Sequence, residues 1–256
     1  MRRQISNRVT RCESLDCFAM TVAVLVLGAG RGERFRASLA SDAPPSGPKV
    51  LTEIAGRSLL ARSLERMAEA KCVDVVQPVL SDFAMDQWSA LRAKLGVLGK
   101  LRDPVRGGRE RVDSVRCGLA ALEPAVDMVA VHDAARPLVP VVDIERVVAA
   151  AVAEGAAVLA TPVTDTVHRV VRDLIVETPR RSELWAAATP QAFRRDWLEA
   201  ALEATLDGAE ATDDAGVVAR LGHPVRVVRG DPGNIKITTE ADRLAAEHRL
   251  LGEAPS

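Results

Sequence analysis

Residues 28–34 read G-A-G-R-G-E-R, three glycines leaving an apolar run with a cation behind them. Glycines at such a point let the backbone approach a ligand closely and turn N–H groups toward phosphate oxygens. Arg34 and Lys49 then bracket a loop rich in Ala, Ser, Pro and Gly that runs from Ala37 to Pro48. Two cations flanking a glycine turn suit a triphosphate. A dinucleotide fingerprint needs a helix at once and an acid about 20 residues further on. Glu53 lies at roughly that distance, but in L-T-E-I-A-G after the long loop, and the loop itself is not a clear helix. On spacing alone, a tight turn with solvated charges stays open.

Other candidates follow downstream. The run H-D-A-A-R-P (132–137) puts a carboxylate and a cation at the end of an apolar stretch. Asp133 could serve a metal-bound phosphate or cap a helix, and Arg136-Pro137 could be a plain loop. His132 reads as a packed or hydrogen-bonded histidine rather than a base. T-P-Q (189–191) is a contact or a turn before the next helix, and Thr212-Asp213 a contact or an N-cap. In N-I-K-I-T (234–238), strand alternation turns Lys236 away from the face of Ile235 and Ile237. Alone, that is a solvated surface lysine.

The elements that must position these residues alternate. Residues 21–28 read as a buried parallel strand, 57–70 as an amphipathic helix, Val73–Leu80 as a strand, 110–122 as a helix and Met128–His132 as a strand. Val141–Glu154 is a further helix and Ala156–Thr161 a further strand. This order implies an α/β fold with a mostly parallel sheet, whose ligands bind beyond the carboxyl ends of the strands. The pattern changes at about 162–183. His168–Val171 and Leu174–Glu177 around Arg172-Asp173 read as an inserted hairpin, either an arm that grips a partner or an ordinary surface hairpin. Helices at Arg194–Leu206 and near 213–221, strands at Val225–Val228 and Ile235–Thr238, and a helix from Glu240 complete one domain over 21–252.

Composition excludes several classes. A net charge of −1 argues against a broad basic face for nucleic acid, and the absence of Tyr argues against stacking platforms for single strands. No stretch reaches the roughly 18 apolar residues of a membrane span. Cys12, Cys17, Cys72 and Cys117 form no C-x-x-C pair, which suits reduced thiols in a cytoplasmic protein. Residues 1–20 are Arg-rich and lack the apolar core of a signal peptide, so a disordered tail or an upstream start with Met20 as the initiator is expected.

The ordered set of motifs resembles a known family. G-A-G-x-G-x-R (28–34) with G-P-K (47–49) is similar to the sugar-phosphate nucleotidyltransferases. G-G-x-E-R-x-x-S-V (107–115), H-D-A-A-R-P, D-T (165–166), T-P-Q, T-D-D-A (212–215) and N-I-K-I-T narrow the resemblance to the 2-C-methyl-D-erythritol 4-phosphate cytidylyltransferases of non-mevalonate isoprenoid synthesis. The resemblance covers about residues 21–250. It implies a Rossmann-like sheet with helices on both faces and a β-arm that builds a homodimer. It also implies CTP and a small polyol phosphate as partners, and Mg²⁺ or another divalent cation held mainly by the CTP phosphates. By resemblance, Gly28, Ala29 and Gly30 line the ribose and triphosphate, and Arg34, Lys49 and Lys236 are the catalytic cations. Gly108 and Ser114 contact the cytosine end, and Asp133, with Ala134 beside it, lies near the ribose and metal. Arg136, Thr166, Arg181, Thr189 and Thr212, together with Lys236, contact the acceptor, with Arg181 reaching the neighbouring subunit's site. The chain departs from the family pattern with Gly28 in a usual Pro-Ala-Ala-Gly strand end, Val50 where Gln often follows the lysine, and a longer 36–48 loop.

The chemistry fits this inventory. A phosphate monoester is mostly dianionic at neutral pH, with a second pKa of about 6, so the nucleophile needs no triad. The obstacle is joining two polyanions, which asks for positioning and fixed positive charge. Two alternatives share the fold: a cytidylyltransferase for ribitol 5-phosphate, and a non-catalytic nucleotide-binding regulator, which could dispense with the three cations.

Overall fold

An apolar run without a polar break must be covered on both faces, and Val22–Gly28 (β1) lies inside the central sheet. The protein is described here by a computed structural model that covers residues 20–30, 32–39, 47–205 and 213–252. The tail expected over 1–20, Met20 apart, and much of the 37–48 loop lie outside these residues.

After β1 come a short helix α1 (Glu33–Ala37), a 3-10 turn at Lys49–Leu51, and the small ribbon β2 (Glu53–Ile54) and β3 (Arg57–Ser58). Helix α2 (Leu59–Glu69) leads to β4 (Val75–Leu80), and α3 (Asp82–Asp86) and α4 (Trp88–Leu95) to β5 (Val105–Arg106). Then follow α5 (Arg111–Ala120), β6 (Met128–Asp133), α6 (Val141–Glu154) and β7 (Ala156–Pro162). The arm is β8 (Arg169–Val171) and β9 (Leu174–Glu177). Strand β10 (Trp185–Arg194), α7 (Arg195–Ala204), α8 (Asp214–Arg220), β11 (Arg226–Arg229) and α9 (Glu240–Gly252) complete the chain.

The sheet has seven strands in the order β11-β7-β10-β6-β1-β4-β5. Every pairing is parallel except those of β10, which runs antiparallel to both β6 and β7. Period-two alternation divides the core. Val22, Val24 and Val26 pack with residues of α2, α4 and α6, whereas Ala23 and Leu25 pack with residues of α5, α7 and α8. This is the expected α/β sheet with helices on both faces. A smaller cluster of Phe35, Ile54, Leu59, Ile237 and Ala246 ties α1, the ribbon and α9 together. It matters for function because Phe35 follows Arg34 and Ile237 follows Lys236. Each cation is presented by a buried neighbour.

Three expectations need correction. T-P-Q is not a turn; it lies within β10. The Ala-Ala-Ala-Thr-Pro-Gln sequence hid the strand because alanine and proline are poor strand formers. The β7 ladder shifts register between Ala187 and Gln191, and Pro190, which has no N–H, sits in that irregular stretch. Ile235–Thr238 is not a strand of any sheet. It runs alongside the turn after β6, where Ile237 N donates to Ala135 O at 2.8 Å, so no neighbouring strand pairs with it. The stretch after the glycines does contain a helix, α1, but five residues are too few to show a helical period.

The arm forms as the sequence suggests. Arg172 and Asp173 both have positive φ, 50° and 63°, as a two-residue hairpin turn requires. Gly155 closes α6 at φ 93°, and a Cβ there would lie 2.3 Å from the Trp197 ring. Both backbone and packing demand glycine. Gly155→Ala should therefore destabilise the protein by about 2 kcal/mol or more, read as a lower midpoint in urea with an unchanged slope.

Candidate functional site

A cleft of about 520 Å³ opens at the carboxyl ends of β1 and β6. Its floor is made possible by close backbone contacts. A Cβ on Gly107 would lie 2.4 Å from the Ala29 Cβ and 2.7 Å from the Ser114 hydroxyl, so glycine lets the two loops touch. Gly32, at φ 67°, lets Lys49 lie against the first loop, since a Cβ would come within 2.9 Å of the Lys49 Cβ. Gly30 leaves bare backbone with open space in front of it. Ser114 is buried; its hydroxyl accepts from Gly108 N at 3.2 Å and donates to Glu110 O at 3.2 Å. It shapes the 107–110 loop at the start of α5. Two departures from the family pattern have local reasons. Gly28 faces Leu80 where a Cβ would meet it at 2.9 Å, and Val50 is buried in the main core.

The cations gather from distant segments. Lys49 Nζ donates to Ile237 O at 2.7 Å. Lys236 Nζ lies 2.6 Å from Asp133 Oδ2, and Arg111 Nε lies 3.6 Å from Asp133 Oδ1. Arg111 also meets the buried Asp214 at 2.7 Å, and Arg34 lines the cleft from α1. Burial alone would raise the Asp133 carboxyl, but Lys236 and Arg111 overcome it and hold the group at about 2. Lys49 moves the other way, down to about 8. Burial is the main cause and Lys236 and Arg34 add to it, against the pull of Asp133. The unliganded cleft is thus electropositive and anchored by one carboxylate.

A polar chain supports Asp133 from below. Its backbone N donates to the Thr189 hydroxyl at 3.1 Å, and that hydroxyl lies 3.2 Å from His132 Nδ1. His132 is fully buried, and its Nε2 lies 3.2 Å from Arg136 O. Asn234 joins in: its side-chain amide donates to Thr189 O at 2.9 Å and its backbone carbonyl accepts from Arg136 Nη1 at 2.7 Å. Arg136 lines a second, smaller cleft of about 160 Å³ beside Ala186, Ala187 and Asn234. His132 is a hydrogen-bonded core residue, as the sequence reading favoured. Burial lowers its pKa to about 4, which keeps it neutral.

The structure brings together Ala29, Gly30, Arg34, Lys49, Gly108, Ser114, Asp133 and Lys236 around the main cleft. Other candidates sit elsewhere. The Ala134 methyl is in the core and Ala135 lines the cleft instead, because Ala134 N is bound to Leu27 O. The Thr189 hydroxyl is committed within the fold. Thr166 and Arg181 are exposed on the arm, where Arg181 donates to Thr164 O at 2.9 Å, and neither lines the cleft of its own chain. Thr212 lies outside the described residues, and Asp213 is the N-cap of α8. Sequence reasoning gave no role to Arg111, Asp214 or Asn234, although each stands inside a motif it used. Their spacing carried no signal that they pair. For a metal, no group of three or more His, Cys, Asp or Glu converges among the described residues.

Comparison with known proteins bears on all of this. The family model "IspD: 2-C-methyl-D-erythritol 4-phosphate cytidylyltransferase" matches residues 22–251. A 2-C-methyl-D-erythritol 4-phosphate cytidylyltransferase from Symbiobacterium thermophilum is 41% identical over 91% of this chain and 94% of that protein. A bifunctional enzyme IspD/IspF from Rhodospirillum rubrum is 40% identical over 91% of this chain, which spans 58% of that longer protein. Among solved structures, a 4-diphosphocytidyl-2C-methyl-D-erythritol synthase from Anaerococcus prevotii superposes with a TM-score of 0.77 at 27% identity, covering 91% of this chain and 99% of that one.

Proposed function

The chain belongs to the 2-C-methyl-D-erythritol 4-phosphate cytidylyltransferase family, and from that membership we infer the reaction and the residues that perform it. The enzyme transfers the cytidylyl group of CTP to 2-C-methyl-D-erythritol 4-phosphate, a step of non-mevalonate isoprenoid synthesis. The products are 4-diphosphocytidyl-2-C-methyl-D-erythritol and pyrophosphate. The observation that carries the assignment of roles is the cleft itself: Arg34, Lys49 and Lys236, from three separate segments, surround the glycine loop and Asp133.

An oxygen of the acceptor phosphate attacks the α-phosphorus of CTP. A new P–O bond forms as the bond to the β-phosphate oxygen breaks, and pyrophosphate leaves with that electron pair. The bare backbone at Gly30 lets the triphosphate approach the loop. Arg34 and Lys49 neutralise charge on the α-phosphorus and the leaving group, where fixed cations in a partly dry cleft are worth most. Lys236, fixed by its ion pair with Asp133, stands where the incoming phosphate must pass. Arg136, beside the smaller cleft, suits the acceptor side. The loop at Gly108 and Ser114 bounds the far end, where the base lies.

One ionised carboxylate, with two cations beside it and no cluster of three or more acids among the described residues, fits a hard divalent ion that takes most of its ligands from phosphate and water. Asp133 is the residue that would hold Mg²⁺, and the ion would supply charge neutralisation between CTP phosphates. The arm is proposed to build a homodimer. Val170, Leu174, Ile175, Val176 and Trp185 are all exposed apolar side chains on or next to it, a patch that a monomer has little reason to keep. In such a dimer Arg181 is free to reach the partner's acceptor site. With charged, water-soluble substrates, the reaction is placed in the cytoplasm.

Three measurements test this. Pyrophosphate release should require CTP together with 2-C-methyl-D-erythritol 4-phosphate; release with ribitol 5-phosphate alone would move the acceptor, and none with any pair would favour the regulator. The second concerns pH. A lysine lowered to about 8 loses its charge as pH rises through that value, so kcat/KM for CTP should fall about fivefold between pH 8 and 9. Lys49→Arg keeps its charge and should remove that alkaline limb; an unchanged limb would show that another group sets it. The third is size: sedimentation should give a dimer, and joint Leu174→Asp and Ile175→Asp substitutions a folded, poorly active monomer. A monomeric unsubstituted protein at micromolar concentration would sink the arm's role.

A further inference from the structure

The turn from Asp133 to Arg136 serves both clefts. Asp133 faces the larger one and Arg136 lines the smaller. Backbone bonds hold the turn's middle: Ala134 N donates to Leu27 O at 3.0 Å, and Ala135 O accepts from Ile237 N at 2.8 Å. Its two ends depend on one buried side chain. A carbonyl can only accept, so the bond to Arg136 O places the proton of the neutral imidazole on His132 Nε2. Nδ1 is then bare and accepts from the Thr189 hydroxyl, whose oxygen accepts in turn from Asp133 N. Every link has one donor and one acceptor, and the direction of the chain is fixed.

We propose that His132 is a positioning residue that sets Asp133 and Arg136 relative to each other, and so aligns the acceptor phosphate with the α-phosphorus of CTP. This deepens the functional reading above and rests on it. His132 is fully buried and lines neither cleft. An apolar side chain would fill the same space without the desolvation cost of two ring nitrogens. Both nitrogens are spent on the turn, through Thr189 on one side and directly on the other. Asn234 extends the effect, since it binds Thr189 O and receives Arg136 while lying two residues before Lys236. A displacement of the turn by about an ångström is enough to cost up to a hundredfold in rate.

The two arms can be cut separately. In His132→Asn the side-chain oxygen can stand in for Nδ1, and in His132→Gln the side-chain amide can stand in for Nε2–H. His132→Leu removes both. Steady-state kinetics with CTP and 2-C-methyl-D-erythritol 4-phosphate, below each variant's melting temperature, should give His132→Leu a kcat at least about tenfold down, with KM for CTP within about threefold. His132→Asn should recover most of kcat and keep a raised acceptor KM; His132→Gln should show the reverse. Should His132→Leu fail to fold, the other two still decide. Losses that simply follow thermal stability, or an identical pattern in Asn and Gln, would overturn the proposal. Long-range ¹H–¹⁵N NMR of the unsubstituted protein reads the tautomer without any turnover. A proton on Nδ1 would refute the proposal, whereas an inactive unsubstituted protein with the Nε2–H tautomer would refute only the functional reading.

Discussion

The ion pair between Lys236 and Asp133 is the interaction on which the site depends. Lys49, Lys236, Arg34 and Arg111 come from segments spread across two hundred residues of chain, and like charges in one partly buried cleft repel. Asp133 is the counter-charge that lets them assemble before any ligand arrives. Its depressed pKa and the lowered pKa of Lys49 are two faces of the same arrangement. Opposite charge around the carboxylate outweighs its desolvation, whereas the lysine has too little opposite charge to offset its own. Asp133 in turn is placed by topology. It ends β6, next to β1, so its carboxylate and the glycine loop leave the sheet side by side.

The antiparallel strand β10 is the second constraint. In a sheet that is otherwise parallel, it alone runs its chain back toward the opposite edge. The residues at its irregular stretch therefore lie beside the end of β6. That is how Thr189 comes to be under Asp133, and how Gln191 reaches the start of α8. The Gln191 amide donates to Asp213 and its oxygen accepts from Ala215 N, which fixes the helix that carries Asp214 to Arg111. One irregular strand thus braces two sides of the cleft. The motif T-P-Q is a structural brace in this chain, tied to Asp133 through Thr189 and to the start of α8 through Gln191.

Much of this was legible in the sequence, and the exceptions share a cause. Elements with a strong period were read almost to the residue: Val141–Glu154 is the helix expected, and the hairpin turns at Arg172-Asp173. Most residues that line the main cleft were legible because their order matches a family, although each alone had a plain alternative. What escaped notice had its meaning in partners far away in sequence. Strand β10 is mostly alanine before its proline and shows no alternation. Arg111 and Asp214 are ordinary charges until the fold sets them 2.7 Å apart. Ala134 and Ala135 cannot be told apart by composition, and only the bond from Ala134 N to Leu27 O decides which of them faces the cleft.

The same reasoning explains why the cleft is built with its charge unbalanced. A site that neutralised its own cations fully would have to break those pairs on binding, and the cost would offset what the ligand gains. Here, among the described residues, the Lys49 ammonium has a carbonyl as its hydrogen-bond partner, and Arg34 stands at the exposed rim. A polyanion entering the cleft relieves repulsion already present, so binding and charge stabilisation draw on one preorganised field. Lys236 differs because it starts from an ion pair. Its ammonium is held in register by Asp133 yet remains half-exposed, able to share its hydrogens with an arriving phosphate. A cation fixed by a buried carboxylate orients better than a free one. That is why Lys236, paired with Asp133, is held in one place, whereas Lys49 leans on a carbonyl.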